Sequence, residues 1–239
     1  MDQLRALGCR RIFLVPGESF LAVLDALHDT PDIDTVVCRQ EGGAAMMAEA
    51  QGKLIGEPGV VIVSRGPGAT NASAGVHIAQ QDSTPLVVLI GQVPLSMQGR
   101  EAFQEVDLVQ FFTPLAKWAA QVTDAERLPE FLAQAWRCAT SGRPGPVVLV
   151  LPEDLISRAV DAATIPALPK TAISSAERDI EQTIDLIESA QRPLVLLGGP
   201  GWSQSIAGQL QDFVLRHHLP VAATFRCQDY FDNRHPCYV

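Results

Sequence analysis

The run CRQEGGAAMMAEA at residues 38–50 holds one carboxylate of chemical interest, Glu41, between an apolar stretch and a tract of small residues. Residues 35–38 predict a short buried strand, and residues 43–54 predict a helix whose approach, Gly42, Gly43 and Ala44, has almost no side-chain bulk. Something flat could pack against that helix start. Withdrawal from water disfavours the charged form of a carboxylate, and a carboxyl group near neutrality exchanges a proton readily with a nitrogen heterocycle. The same pattern fits a plain helix-starting glutamate favoured by the macrodipole.

Two further loops carry groups of interest. SRGPGATN at residues 64–71 follows a predicted strand and opens a predicted helix, so backbone N–H groups freed by Gly66 and Gly68 could face a ligand. Its spacing is neither G-x-G-x-x-G nor a Walker loop, and a tight strand-to-helix turn also accounts for it. Residues 99–107, GREAFQEVD, gather Phe103, Gln104 and Glu105 in an irregular stretch. An aromatic face beside an amide lines many pockets and also occurs on plain surface loops. For His77, Asp82 and Ser83, capping and packing suffice, and the pair His217 and His218 reads as a solvated helix end.

The elements that must position these groups are legible as a period. Apolar runs at residues 12–15, 35–38, 60–64, 86–90 and 147–151 alternate with helix-patterned stretches at 20–28, 43–54, 70–81 and 128–141. That alternation predicts an α/β fold, a three-layer α/β/α sandwich around a mostly parallel sheet. The strands end in PGES, RQEGG, RGPG, GQVP and PEDL. Loops at the carboxyl ends of parallel strands form the ligand crevice of such sheets, so these clusters are candidates for one shared site. This first domain is expected over residues 1–160, followed by a linker at 161–175 that has prolines and no apolar period. Residues 176–239 then begin a second, Rossmann-like unit, with helices at 176–190 and 204–218 and strands at 193–197 and 221–225. About two strands are too few for an independent three-layer domain, so the sequence reads as a piece of a longer protein.

Composition removes several classes. With 18 Lys and Arg against 27 Asp and Glu, the net charge of -9 argues against a nucleic-acid partner. Five cysteines without C-x-x-C spacing suggest neither a disulfide framework nor a zinc site, and a reducing cytoplasm fits them. No apolar run approaches the ~20 residues of a membrane span, and the start MDQLRALG has no signal-peptide core. The expectation is a soluble, cytoplasmic protein without a membrane partner.

Read in order, VPGES, RQEGGAA, SRGPGATN, QQDSTPLVVLIGQVP, AFQEVD and RPGPVVLVLPEDL resemble the thiamine diphosphate-dependent enzymes of the acetolactate synthase-like and 2-oxo acid decarboxylase superfamily. The resemblance covers the pyrimidine-binding domain, and PLVLLGGPGW with LPVAATFRCQDYFDNRHP extends it into the start of the central domain. It implies thiamine diphosphate as cofactor, with Glu41 as the activating carboxylate beside the aminopyrimidine. It further implies that Gly17, Gly66, Pro67, Gly68 and Asn71 contact the cofactor, and that Ser19, Phe103 and Gln104 line the substrate pocket, Gln104 orienting the 2-oxo acid. Glu18 occupies a position that is typically small in acetolactate synthases and acidic in several decarboxylases, so it could assist protonation after decarboxylation. Where those decarboxylases present a histidine pair, this chain has GQVPLSMQGREAF, and AFQEVD matches the carboligases.

The resemblance also implies what lies elsewhere. Mg2+ and diphosphate ligands come from a GDG...N pattern in a C-terminal domain, which is absent from this sequence. Half a site implies a homo-oligomer, dimer or tetramer, and an isolated chain without activity. FAD binds the central domain of some relatives and is not assignable here. Two alternatives stay open: a 2-oxo acid decarboxylase, or a silent fragment that keeps the fold and oligomerises. A nicotinamide-binding Rossmann domain is disfavoured because no strand leads into G-x-G-x-x-G with an acidic residue ~20 positions on.

Overall fold

The strands β1 (Arg11–Leu14), β2 (Asp34–Val37), β3 (Gly59–Val63), β4 (Leu86–Gln92), β5 (Trp118–Gln121) and β6 (Pro146–Pro152) pair in parallel as a six-stranded sheet in the order β2-β1-β3-β4-β6-β5. The chain is seen in a computed structural model that describes residues 1–169 and 174–239. Contacts divide it into two units, Met1–Lys170 and Thr171–Val239. The linker expected at 161–175 includes residues 170–173, which lie outside the described residues.

Every residue of β3, β4 and β6 is buried, as expected of central parallel strands covered on both faces. The cover comes from α1 (Asp2–Ala6), α2 (Leu21–His28), α3 (Glu41–Ile55), α4 (Pro67–Asp82), α5 (Leu108–Phe112), α6 (Leu128–Thr140) and α7 (Glu153–Ile156). On one face Leu4, Leu27, Leu132 and Trp136 pack over Val60, Ile62, Val87 and Leu89. On the other, α3 and α4 lay alanines, Ala44, Ala45, Ala48, Ala69 and Ala72, against Val61, Val63, Val88 and Ile90. Alternate strand residues thus feed two cores, which is the three-layer α/β/α sandwich.

The small residues of α3 and α4 have a packing consequence. A Cβ added to Gly75 would stand 2.5 Å from the Ala45 Cβ and 2.8 Å from its carbonyl carbon, so the two helix backbones meet closely there. That contact brings their amino-terminal ends side by side.

Three expectations need correction. Residues 35–38 are not a buried strand: β2 is the sheet edge, and Val37 is 64% exposed. Val36 and Cys38 pack against the core while Val37 between them faces away from it. The edge strand β5 and the short helices α5 and α7 stand outside the expected set, because each is only four or five residues long and none is long enough to show a period. Finally, α3 starts at Glu41 rather than Gly43, so the carboxylate belongs to the helix and not to the loop before it.

The second unit holds α8 (Glu177–Ser189), β7 (Val195–Leu197), α9 (Gln204–Arg216) and β8 (Val221–Ala223), with β7 and β8 parallel. Leu197, Val214, Leu219, Val221 and Phe231 form its core. No helix among the described residues is long and apolar enough to cross a membrane.

Candidate functional site

The site is built where α3 and α4 begin. Gln40 caps α3, its side-chain oxygen accepting from the Gly43 N–H at 2.7 Å, so the cap bond is made without using the Glu41 side chain. Glu41 is half-buried and reaches α4 instead: Asn71 Nδ2 donates to Glu41 Oε2 at 3.0 Å. Its other oxygen lies by Gly68, where an added Cβ would come within 3.4 Å of Oε1 and of the Ser64 Cβ. One oxygen is therefore fixed by an amide, and the other faces Gly68, which carries no side chain.

The β3–α4 turn holds the next pair. Gly66 has φ +40° and ψ -104°, a backbone conformation suited to glycine, and a Cβ there would lie 2.5 Å from the Gln104 carbonyl oxygen. The turn and the 99–107 loop thus touch backbone to backbone. Gln104 itself takes φ +64° and Glu101 φ +54°, so that loop is held in a costly shape. Glu105 holds it: its carboxylate accepts from the Gly99 N–H at 2.6 Å and the Ala102 N–H at 3.2 Å. Buried Gln92, at the end of β4, adds a brace by donating to the Val106 carbonyl at 2.8 Å.

At the end of β1, an added Cβ on Gly17 would stand 2.6 Å from the Ser64 Cβ, so this turn lies directly on the end of β3. Ser19 is fully buried, with its hydroxyl 2.9 Å from that of Ser64, and offers no surface to a ligand in this chain. Glu18 is exposed and lies 3.7 Å from Arg65 Nη2. Pro67 is exposed at the start of α4, and Phe103 is 77% exposed beside Gln104.

The structure therefore brings Glu41, Gly68 and Asn71 into one cluster, Gly17 and Ser19 onto Ser64, and Gly66 onto Gln104. It leaves Phe103 and Pro67 facing solvent. Sequence reasoning missed three contributors: Arg65, Gln92 and the bracing role of Glu105. The sequence carries no local signal for Arg65, because Glu18 and Glu153 come near it only when the sheet is formed. Nearby, burial pushes the Cys38 thiol up from its ordinary range, against a smaller opposing effect of the Leu14 backbone, which disfavours a thiolate there. Among the described residues no group of three or more His, Cys, Asp or Glu could hold a metal ion.

Two family profiles match the chain. Residues 1–111 match "Thiamine pyrophosphate enzyme, N-terminal TPP binding domain", and residues 180–239 match the central domain of the same enzymes. Among individual proteins, it is 37% identical over 226 residues to acetolactate synthase isozyme 3 large subunit of Escherichia coli (strain K12), covering 91% of this chain and 39% of that protein. It is 37% identical over 250 residues to the mitochondrial acetolactate synthase catalytic subunit of Aspergillus candidus, covering 97% of this chain and 35% of that one. A probable acetolactate synthase large subunit of Methanocaldococcus jannaschii is 35% identical over 244 residues, covering 98% and 40%. The chain thus spans well under half the length of the relatives it matches. With its parallel sandwich, its small-residue helix starts and these matches, the chain belongs to the acetolactate synthase-like thiamine diphosphate enzymes, of which it carries the N-terminal and part of the central domain.

Proposed function

We propose that this chain forms the aminopyrimidine-binding and activating half of a thiamine diphosphate-dependent carboligase that acts on 2-oxo acids. The observation that carries the reading is the Glu41 carboxylate at the head of α3, held by Asn71 and open toward Gly68. The residues fit the pyrimidine end of the cofactor: a carboxylate suits a protonatable ring nitrogen, and the bare backbone of Gly68 leaves room for a flat ring. When bound, thiamine diphosphate supplies the acidic carbon on which a 2-oxo acid loses carbon dioxide.

The chain's own residues then have limited tasks. Glu41 holds and exchanges a proton at its free oxygen, while Asn71 keeps the carboxylate aimed. Gly66 and Gly68 leave space at the start of α4, and Pro67 borders it. Phe103 and Gln104, on the loop braced by Glu105, form one wall of the substrate pocket, and Gln104 presents an amide to the 2-oxo acid. Mg2+ and the diphosphate fall to a further domain, in a homo-oligomer whose partner completes the site. An exposed apolar row on α3, Met46, Met47 and Leu54, supports association with a second copy. The cytoplasm suits the free cysteines. FAD is not assigned.

One observation favours a second reading, decarboxylation to an aldehyde. Glu18 is exposed at the end of β1, where it could deliver a proton. Product analysis of the complete protein with pyruvate separates the two: acetolactate or another acyloin should exceed acetaldehyde, and dominant acetaldehyde would select the second. Glu41→Gln tests the common premise. It should slow exchange of the cofactor C2 proton, followed by NMR, by about 10²–10⁴-fold, and an undiminished rate would refute the role given to Glu41.

A further inference from the structure

Arg65 follows β3 and is 8% exposed, an uncommon setting for a guanidinium. Its Nη1 lies 3.4 Å from Glu153 Oε2, at the start of α7 after β6, and its Nη2 lies 3.7 Å from Glu18 Oε2, after β1. The side chain therefore links the ends of strands on both sides of β4. Its Nε is buried without a hydrogen-bond partner among the described residues.

Two carboxylates on one guanidinium leave an excess of negative charge, so an incoming anion would be repelled rather than bound. Holding is the better fit. An ion pair between two exposed side chains contributes little because both must be ordered to form it. Here burial has already ordered Arg65, and the backbone before Glu18 is fixed by the packing of Gly17 on Ser64. Only the Glu18 side chain remains to be restrained. Its Oε2 is the oxygen that faces the arginine.

We propose that Arg65 is a positioning residue that tethers Glu18 at the ends of β1 and β3 and so limits how often that carboxyl group reaches the reacting carbon. The tether itself rests on geometry; its consequence for products rests on the function proposed above. A restrained Glu18 favours ligation, because the carbon waits unprotonated for a second carbonyl compound. A released Glu18 reaches it more often and raises the share of aldehyde.

The test is a double-mutant cycle on the complete, cofactor-loaded protein, with the ratio of acyloin to aldehyde from pyruvate as readout. Arg65→Gln should raise the aldehyde share roughly two- to fivefold, Arg65→Lys should restore most of the ratio, and Arg65→Gln should have no effect on it in a Glu18→Ala background. A merely structural defect would act equally in both backgrounds, and that result, or an unchanged ratio, would overturn the proposal. A cofactor-free arm uses protein labelled with 15N-arginine. Glu18→Gln, at an exposed position that leaves the fold intact, should shift the Arg65 Nη resonances and speed guanidinium rotation, and unmoved resonances would refute the tether. Shifted resonances with no acyloin or aldehyde from any variant would instead place the failure in the reading of function.

Discussion

Asn71 and Glu41 sit thirty positions apart in sequence, yet the amide of one donates to the carboxylate of the other at 3.0 Å across the starts of two adjacent helices. The pair exists because Gly75 lets α4 lie against Ala45 of α3. Exposed side chains rarely hold one orientation unaided, so this bond decides which oxygen of Glu41 remains available. Asn71→Ala should lower the C2 exchange rate of the loaded, complete protein about tenfold, the loss of one hydrogen bond to a charged group. The thermal midpoint should move little, since Asn71 is exposed. A rate equal to that of the parent would detach Asn71 from the site.

Gly75→Ala probes the same arrangement from below. The added methyl meets Ala45 and its backbone at 2.5–2.8 Å, with no flexible side chain to give way. Urea unfolding should show a loss of about 1–3 kcal/mol with an unchanged m value. A neutral result would mean that the helices separate without penalty.

Glu105 offers a test of the loop. Removing its acceptor charge by Glu105→Gln weakens the bonds to the Gly99 and Ala102 N–H groups, while Gln104 and Glu101 keep their unfavourable positive φ angles. Amide exchange at Gly99 should rise on the order of tenfold, with exchange in β3 and β4 unchanged. Equal protection in the variant would show that Gln92 alone holds the loop.

Cys9 gives a pH test of the core. Burial pushes its thiol up to about 11, against smaller opposing effects of the Arg11 backbone and the Arg10 charge. At pH 8 a maleimide should therefore spare Cys9 in the folded protein and label it in urea. In the window between the ordinary thiol value and about 11, the unfolded chain releases this proton and the folded chain keeps it. Stability should thus fall as pH rises through that window and be unaffected by this group below it. Rapid labelling of Cys9 in the folded state would contradict its place in the core.

What the sequence disclosed depends on the range of the interactions. The strand-turn-helix order and the central strands were legible because a fully buried parallel strand such as GVVIV is apolar at every position. The edge strands were not: TVVC looks buried but has one open side, and WAAQ is half-buried and four residues long. Within the candidate site, Glu41 and Gly68 stand out because small residues around a helix start are a local signal, whereas Asn71 enters only through the family resemblance. Arg65 does not stand out, since its ion-pair partners Glu18 and Glu153 are brought near only by the complete sheet.

The strand order carries a consequence for how the chain assembles during synthesis. β6 lies between β4 and β5, and β5 pairs with β6 alone, so the edge of β4 stays unpaired until residues 146–152 have left the ribosome. By then β1 to β4 and the helices that carry Glu41 and Asn71 have long been available. For about fifty residues of elongation after β4 the nascent sheet offers an open edge along LVVLIGQ, an apolar strand without a charge to guard it. At about 5–20 residues per second that interval lasts several seconds, long enough for the late-inserting strand to be the step at which holding chaperones or aggregation compete with folding.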